Sequence, residues 1–171
     1  DYQRSRGLGD VYKRQLLNGL VLLCDRDSTT KRTTLVDVLI YGSREFGYVV
    51  RSLVGDTTHS FRGFIDDVHT GPDVLGNWNA VIAQYSPADV GVVIAVGYKD
   101  LDARWRVHQR VRSAGFCTPH LIHPEAWVAP TASVGDGTIL MARCVVDCGA
   151  TLQELSVLCR LLYTSPSPRD R

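Results

Sequence analysis

The sequence lacks the features that mark several large classes of protein. It has no excess of one charge, since 19 lysines and arginines stand against 18 aspartates and glutamates. Nucleic-acid-binding domains usually carry a basic excess that neutralises phosphates, so this balance argues against a nucleic-acid partner. No apolar run reaches the roughly 18–20 residues that span a bilayer, and the five cysteines show no paired spacing. A soluble cytoplasmic protein with no membrane span and no disulfide framework is therefore predicted.

Both ends of the chain differ from its middle. Residues 1–15 show neither a helical nor a strand period, and residues 161–171 contain a Ser-Pro-Ser-Pro run that no helix or strand interior tolerates. Both resemble translated sequencing-adapter read-through, and we interpret them as artefactual tails; ordinary disordered tails are the alternative. The assignment of residues 16–34 stays open. An α/β domain is predicted over 35–123 and the start of a second domain over 124–160, so we interpret the chain as a fragment.

The segment from residue 35 alternates strand and helix patterns. Leu35–Tyr41 is short, apolar and β-branched, Phe46–Val54 has apolar residues at helical spacing, and Ser60–Ile65 has the pattern of a second strand. A strand, a helix and a strand within about 30 residues form a βαβ unit. The fold class predicted is α/β, with a Rossmann-like parallel sheet whose ligands lie outside the carboxyl ends of its strands. The further predicted elements are a polar loop at 68–77, a short helix at Trp78–Gln84, a strand at Gly91–Val96, a helix over Leu101–Ser113 capped by Asp100 with an apolar stripe of Ala103, Val107, Val111 and Ala114, and a last strand at Thr118–Ile122.

A six-residue period follows Pro124. Six aliphatic residues are spaced by six, and a small residue stands four positions after each of the first five. This pattern is typical of a hexapeptide solenoid, in which the aliphatic residue points into a narrow core and the small residue fits a tight corner. Three faces close one turn, so the five complete hexads amount to fewer than two turns. The aliphatic positions are Val128, Val134, Leu140, Val146, Leu152 and Leu158, and the small ones are Ala132, Thr138, Cys144, Ala150 and Ser156.

Four segments carry a family resemblance, in order along the chain. They are IYGSREFG (Ile40–Gly47), GFIDD (Gly63–Asp67), VIAVGYKDLDARW (Val93–Trp105) and LIHPEAWVAPTASVGDGTILMARCVVDCGA (Leu121–Ala150). Together they are similar to the sugar acyltransferase family of the sialic acid O-acetyltransferase (NeuD) and bacillosamine N-acetyltransferase (PglD) type. The resemblance covers about residues 35–158. It implies a Rossmann-like domain that binds a sugar or nucleotide sugar, and then a left-handed β-helix that binds acetyl-CoA between the subunits of a homotrimer.

The resemblance also implies a substrate site that begins at the first strand-to-helix turn. Gly42, Ser43, Arg44 and Gly47 match the glycine-rich turn of the family. Arg44 and Glu45 replace two glycines of that turn, and this departure weakens a backbone cradle for pyrophosphate. Arg44 can instead donate to a phosphate or a carboxylate. A purely structural turn is the alternative.

Two more strand ends complete the predicted substrate site. Asp66 and Asp67 stand about 20 residues beyond the turn, where an acidic residue reaches a ribose hydroxyl in dinucleotide folds. A solvated acidic pair that ends a strand is the alternative. Gly97 and Tyr98 match a further wall of the pocket, and Arg104 matches an arginine in the next helix. Arg104 can equally lie on a solvated face of that helix, together with Arg106, Arg110 and Arg112.

No residue of the chain is assigned a catalytic role. The resemblance places the general base on a histidine in later coils, and no histidine follows His123 in this sequence. His120, His123 and Glu125 form only a weak metal-ligand pattern, so no metal is predicted. Cys144 occupies a small-residue position of the repeat, which packing explains.

The function predicted is that of a fragment of an acyl-CoA-dependent sugar O- or N-acyltransferase. Acetyl-CoA is the expected co-substrate, the acceptor is a sugar or a nucleotide sugar, and the fragment alone is expected to be inactive. A non-catalytic nucleotide-sugar-binding module with a vestigial solenoid is the alternative. A dinucleotide oxidoreductase ranks third, because Arg44 stands where the second glycine of GxGxxG should be.

Overall fold

The chain folds into a parallel sheet followed by a coil of very short strands. The computed structural model describes residues 37–97 and 100–159. Within these ranges the chain forms three helices and eleven strands. None of the described helices is long and apolar enough to cross a membrane.

The parallel sheet has the order β3-β2-β1-β4. Strand β1 pairs in parallel with β2 on one side and with β4 on the other. The chain moves outward from β1 to β3 and then returns to the far side of β1, so the strand order reverses between β1 and β4. Ligands of open parallel sheets bind at the carboxyl edge near such a point. The strand bounds are Asp37–Tyr41 for β1, Ser60–Ile65 for β2, Val74–Gly76 for β3 and Val90–Ile94 for β4.

Three helices accompany the sheet in the described part of the chain. The predicted N-cap of α3 is confirmed, since Asp100 Oδ1 accepts a hydrogen bond from the Ala103 amide at 2.8 Å. Asn77 caps α2 in the same way, with its Oδ1 2.9 Å from the Ala80 amide. The helix bounds are Glu45–Gly55 for α1, Trp78–Ile82 for α2 and Leu101–Ser113 for α3.

Both faces of the sheet are covered, which explains why its strands are apolar without alternation. Ile40 of β1 packs with residues of α1 and with Leu121 and Ile139 of the coil. Leu39 points to the opposite face and packs with residues of α2 and α3. The coil therefore contributes to the hydrophobic core of the sheet.

The coil repeats every three strands. Leu121 lies opposite Ile139, which is 18 residues later along the chain. Strands β5, β8 and β11 form one face in this way, β6 and β9 a second, and β7 and β10 a third, always in parallel. The strand bounds are Leu121–Ile122, Trp127–Val128, Ser133–Val134, Ile139–Leu140, Val145–Val146, Thr151–Leu152 and Val157–Leu158 for β5 to β11.

The six-residue register predicted from the sequence is confirmed by the packing of the coil. Leu140 and Val146, from the aliphatic register, are buried together with Cys144 from the small register. The Cys144 thiol donates to the carbonyl of Leu158 at 3.1 Å, and burial raises the pKa of that thiol. Packing thus accounts for this cysteine, as expected from its position in the repeat.

The last strand expected in the parallel sheet belongs instead to the coil. The prediction placed it at Thr118–Ile122, whereas the observed strand covers Leu121–Ile122 and pairs with β8. Ile122 lies six residues before Val128, so the hexapeptide register begins one hexad earlier than predicted. The preceding carbonyl of Cys117 accepts from the Val92 amide of β4 at 2.9 Å.

Strand β3 was also not expected from the sequence. It lies inside the polar stretch 68–77 that was predicted to be a loop. Its three residues are too few to show a periodic pattern, and one of them is Gly76. Its pairing along the edge of β2 is a long-range contact, which local sequence does not encode.

Candidate functional site

The predicted site residues gather at the carboxyl edge of the sheet. The amide of Gly42, directly after β1, donates to the carbonyl of Ile65 at the end of β2 at 2.8 Å. The amide of Ala95, directly after β4, donates to the carbonyl of Tyr41 at 2.8 Å. These bonds hold the carboxyl ends of three strands together.

Glycine is required at both ends of the first turn. Gly42 adopts a φ of +109°, and a Cβ there would lie 3.0 Å from the carbonyl oxygen of Ala95. A Cβ on Gly47 would lie 2.1 Å from the carbonyl oxygen of Gly42. The two glycines therefore let α1 pack directly against the turn. Gly97 differs, because a Cβ there would have no neighbour within 4 Å.

Asp66 ties the β1 turn to the loop after β2. Its Oδ2 accepts from the hydroxyl and the amide of Ser43, at 2.6 and 3.0 Å. Its Oδ1 accepts from the amides of Val68 and His69, at 2.9 and 2.8 Å. Burial alone would raise the pKa of Asp66, but these hydrogen bonds outweigh it and hold the pKa well below its ordinary value. Asp66 is therefore a charged anchor of two loops.

Asp67 is engaged on the other face of the sheet. It accepts from the Tyr41 hydroxyl at 2.6 Å, from the Trp78 amide at 2.9 Å and from Arg110 Nη1 at 2.9 Å. Burial raises the pKa of Asp67, but these donors outweigh it and the pKa lies below its ordinary value. Burial and the Asp67 carboxylate raise the pKa of Tyr41, so its hydroxyl keeps its proton. Asp67, Asn77, Trp78, Asn79 and Arg110 line an open cleft of about 400 Å³.

Arg44 extends across the turn to the loop after β2. Its Nη1 lies 3.0 Å from His69 Nε2, and His69 Nδ1 lies 3.2 Å from Asp66 Oδ1. Arginine only donates, so this pairing assigns the ring proton to Nδ1, which then donates to the carboxylate. Arg44 is also the N-cap of α1, where its side chain makes no capping hydrogen bond.

Arg104 is inside the protein and not on a solvated face of α3. Only 3% of it is exposed, and it lies with its Cζ 6.0 Å from the ring centre of Phe46 in the first turn of α1. Its Nε and Nη2 are buried without a hydrogen-bond partner among the described residues. Burial lowers the pKa of this guanidinium. The sequence left open whether Arg104 is buried. The alternative, in which Arg104 lies on a solvated face of the helix, is wrong.

The apolar stripe predicted for α3 is rotated by about one residue. Arg104, His108 and Val111 are the buried residues of the helix, whereas Ala103 and Val107 are only partly buried. The other arginines predicted on the solvated face are exposed, as expected. They are Arg106, Arg110 and Arg112.

The structure shows a polar contact between α3 and the coil that the sequence did not predict. His108 is 1% exposed, and its Nε2 lies 3.1 Å from Glu154 Oε2. Arg112 Nη1 donates to Glu154 Oε1 at 2.9 Å. Burial lowers the pKa of His108 despite the nearby Glu154 carboxylate. No local signal marks this pair, because 46 residues separate His108 from Glu154.

Tyr98 and His123 are the remaining residues considered in the sequence. Tyr98 lies outside the described residues. His123 Nδ1 accepts from the Glu125 amide at 3.0 Å, and its Nε2 lies 3.6 Å from Asp56 Oδ2. Across 37–97 and 100–159, no group of three or more histidine, cysteine, aspartate or glutamate side chains could hold a metal ion.

Comparison with known proteins identifies the fold. No family model and no curated protein sequence matches the chain. The structure is similar to the acetyltransferase domain of PglB from Neisseria gonorrhoeae FA1090 in complex with acetyl coenzyme A, with a TM-score of 0.63 and 27% identity over 72% of this chain and 62% of that one. It is also similar to PerB from Caulobacter crescentus in complex with CoA and GDP-perosamine, with a TM-score of 0.63 and 21% identity over 72% and 60% of the two chains.

A third solved structure agrees with these two. It is a mutant of perosamine N-acetyltransferase from Caulobacter crescentus in complex with CoA and GDP-perosamine, with a TM-score of 0.66 and 22% identity over 72% of this chain and 60% of that one. The chain thus spans about 60% of the length of the structures it matches. Its parallel sheet and short parallel strands are consistent with a hexapeptide-repeat acetyltransferase fold.

Proposed function

We propose that the chain is part of an acetyl-CoA-dependent sugar O- or N-acyltransferase. The observation that carries this proposal is the direct connection of a parallel sheet of order β3-β2-β1-β4 to a coil that repeats every 18 residues. Leu121 and Ile139 of the coil share a core with Ile40 of the sheet, so the two parts form one unit. The similarity to PglB and PerB, which were solved with acetyl coenzyme A and with CoA and GDP-perosamine, supports the same activity class.

In this proposal the sheet is a Rossmann-like domain for a nucleotide-sugar acceptor. The acceptor occupies the carboxyl edge, where Gly42, Ser43, Asp66 and Gly97 converge. Ser43 and Asp66 hold the shape of the edge through their mutual hydrogen bonds. The ligand then meets the backbone of the first turn and the amides at the start of α1.

The coil is, in this proposal, the start of a left-handed β-helix that binds acetyl-CoA between the subunits of a homotrimer. Trp127 and Val145 lie opposite each other on one face of the coil, and both are exposed. An exposed pair of large apolar residues supports a subunit contact on that face. In this proposal the protein works in the cytoplasm, because the spacing of its five cysteines is not that of a disulfide framework.

Acyl transfer requires a general base that deprotonates the acceptor hydroxyl or amine before it attacks the thioester carbonyl. We infer, as the family resemblance implies, that this base is a histidine of later coils, because no histidine follows His123 in this sequence. The chain alone is then expected to bind a nucleotide sugar without transferring acetyl from acetyl-CoA. Release of CoA thiol by the chain itself would contradict this assignment.

A thermal-shift screen of the full chain with UDP-, CMP- and GDP-sugars and with NAD tests the proposed acceptor class. GDP-sugars come first, because GDP-perosamine is bound in PerB. We expect at least one nucleotide sugar to raise the unfolding temperature and NAD to leave it unchanged. Stabilisation by NAD together with none by any nucleotide sugar would overturn the proposal.

A non-catalytic binding module is the second candidate function. The observation that favours it is that Arg44, at the glycine-rich turn, pairs with His69 of a neighbouring loop. Determination of the coding sequence beyond codon 160 separates the two candidates. Further hexads with a histidine support the enzyme, whereas an early stop or a repeat without histidine supports the binding module.

A further inference from the structure

His108 is a buried titratable side chain that the proposed function does not use. Only 1% of it is exposed, and its Nε2 lies 3.1 Å from Oε2 of Glu154, in the corner between β10 and β11. Its Nδ1 is buried without a hydrogen-bond partner among residues 37–97 and 100–159. Because a carboxylate only accepts, the contact with Glu154 assigns the proton of the neutral ring to Nε2. The lone pair of the ring is then on the buried Nδ1.

The coil carries two carboxylates beside α3, at equivalent positions of successive turns. Asp136 stands 18 residues before Glu154, which is one full turn of the coil. The two corners are stacked: the Leu155 amide donates to the Asp136 carbonyl at 2.9 Å, and a Cβ on Gly135 would lie 2.6 Å from the Glu154 nitrogen. The corner at Glu154 is therefore held by the preceding turn and by α3.

The helix brings three basic side chains to one face. Arg104, His108 and Arg112 are spaced by four residues, so they follow one stripe along α3. Arg112 Nη1 donates to Oε1 of Glu154 at 2.9 Å, while His108 Nε2 lies beside the other oxygen of that carboxylate. One carboxylate of the coil is thus shared by two side chains of the helix. Of these two side chains, only the histidine changes its charge between about pH 5 and pH 8.

A second proton on the His108 ring creates an unsatisfied cation inside this junction. The new N–H at Nδ1 has no acceptor among the described residues, and Arg104 and Arg112 lie one helical turn away on either side. Burial lowers the pKa of His108 and Arg112 adds to this, whereas Glu154 and Asp136 raise the pKa without compensating. The folded protein binds this proton less readily than the unfolded chain, so the junction loses stability as the pH falls below about 6.5.

We propose that His108 is a pH-sensitive latch between α3 and the coil. In its neutral form, Nε2–H holds the corner at Glu154 against the helix. Protonation of Nδ1 makes the buried position unfavourable, so the ring moves towards water and releases that corner. Leu121 and Ile139 keep the rest of the coil in the core of the sheet. The latch therefore controls the last described turn of the coil and not the docking of the whole coil.

The latch does not depend on the proposed function, because it concerns only the junction between the helix and the coil. If the proposed function is correct, this turn belongs to the part that binds the acyl donor. Mild acid then loosens the donor side and leaves the acceptor edge of the sheet in place. A latch found in a chain that binds no nucleotide sugar would leave the latch standing and reject the function.

Nitrogen-15 NMR of the histidine rings in the full chain tests the protonation states. At pH 7.5 we expect the Nε2–H tautomer for His108. Its Nδ1 should take up a proton only below pH 6.5, the value of an ordinary histidine. An Nδ1–H tautomer, or protonation at or above the ordinary pH, would overturn the proposal.

Amide hydrogen exchange measures the release of the corner. The probe is the Leu155 amide, and the reference is the Leu121 amide, which donates to the Thr138 carbonyl at 2.8 Å in an earlier turn. After correction for intrinsic exchange at each pH, opening at Leu155 should increase at least about threefold from pH 7.5 to pH 5.5. Opening at Leu121 should stay constant. An equal response of both amides, or none at Leu155, would contradict the latch.

His108→Gln removes the titration while its side-chain amide can still donate to Glu154. Opening at Leu155 should then be independent of pH over the same range. His69→Gln, which removes a histidine outside the junction, should keep the wild-type response. A wild-type response in His108→Gln would assign the effect to another group and overturn the proposal.

Glu154→Gln decides the outcome if His108→Gln fails to fold. This change keeps an acceptor oxygen beside the ring and removes one of the two carboxylates that raise the pKa of His108. Nδ1 should therefore take up its proton at a lower pH than in the wild type, as read by the same ring resonances. Protonation at an unchanged pH would show that Glu154 does not act on the ring, and the latch would be wrong.

Discussion

Asp66 and Arg104 are two buried charges near the same sheet edge, and the fold treats them in opposite ways. The Asp66 side chain is 8% exposed and accepts hydrogen bonds from Ser43, Val68 and His69. Arg104 is 3% exposed, and its Nε and Nη2 have no partner in the described ranges. The Asp66 carboxylate holds two backbone loops together in the folded protein. The Arg104 guanidinium carries a desolvation penalty that no hydrogen bond to its Nε or Nη2 offsets in the described ranges.

This difference predicts that replacing Asp66 lowers the free energy of unfolding, whereas replacing Arg104 raises it. A carboxylate that satisfies several amides is part of the folded structure, so its loss leaves those donors without their acceptor. A buried charge without a partner opposes folding, so its replacement by an apolar side chain of similar size removes a penalty. Three predictions test this contrast, and a fourth concerns a more exposed charged contact.

The largest effect is expected for Asp66→Ala. This change leaves the Ser43 hydroxyl and the Val68 and His69 amides without their acceptor, and we expect a loss of about 3 kcal/mol in the free energy of unfolding. Urea denaturation followed by circular dichroism measures it. Asp89→Ala, at an exposed position, should stay within about 0.5 kcal/mol of the wild type. Equal effects of the two changes would show that Asp66 does not anchor the loops.

Arg104→Met should stabilise the ligand-free protein. Replacing a buried charge by a packed apolar side chain is often worth about 1–3 kcal/mol of added stability. The same denaturation experiment measures it, with Arg106→Met as the control. A loss of stability in Arg104→Met would mean that the guanidinium supports the fold, and the contrast with Asp66 would fail.

The contrast also predicts the response to acid. The folded pKa of Asp66 is depressed, so its contribution is fully present above the unfolded value of about 3.9 and is lost as the pH falls towards the folded pKa. Wild-type stability should therefore decrease below about pH 4 more steeply than that of Asp66→Asn, which has no carboxylate to protonate. Unfolding curves from pH 5 to pH 2.5 test this. Parallel pH profiles would contradict the assignment.

The smallest effect is expected at the contact between α3 and the coil. Glu154 pairs with Arg112, and the two side chains are 37% and 42% exposed, so solvent screens the pair. Burial keeps the pKa of its second partner, His108, below the ordinary value, so that ring is neutral at pH 7. Glu154→Gln should cost less than about 1 kcal/mol. A larger loss would make this contact a major part of the coil's docking on the sheet.

Periodic parts of the chain were predictable because their signal is local. Ser60–Ile65 is found as predicted, and α3 begins and ends at Leu101 and Ser113 as expected. The six-residue spacing directly indicates which side chains enter the core of the coil, since each aliphatic residue must fill the same narrow space. The glycines of the first turn came from the family resemblance, and the structure explains them: only glycine tolerates the φ of Gly42 and the close approach at Gly47.

Contacts between distant segments were not predictable. Strand β3 exists because it pairs with β2, and Leu121 belongs to the coil because Ile139 lies opposite it. The acidic pair was correctly identified as polar groups at a strand end, but its partners come from β1, Tyr41 at the end of that strand and Ser43 in the turn after it. The ribose-binding role predicted for that pair stays a prediction.

The sequence by itself determined the α/β class, the order of the main elements and the six-residue repeat, because each depends on periods that neighbouring residues carry. Only the tertiary structure decided which face of α3 is buried. A rotation of one residue moves the inward face from Ala103 and Val107 to Arg104 and His108. Docking against the sheet and the coil sets that rotation, since the buried face is the one whose side chains fill the space between them. Docking therefore turned one arginine among four into a buried charge.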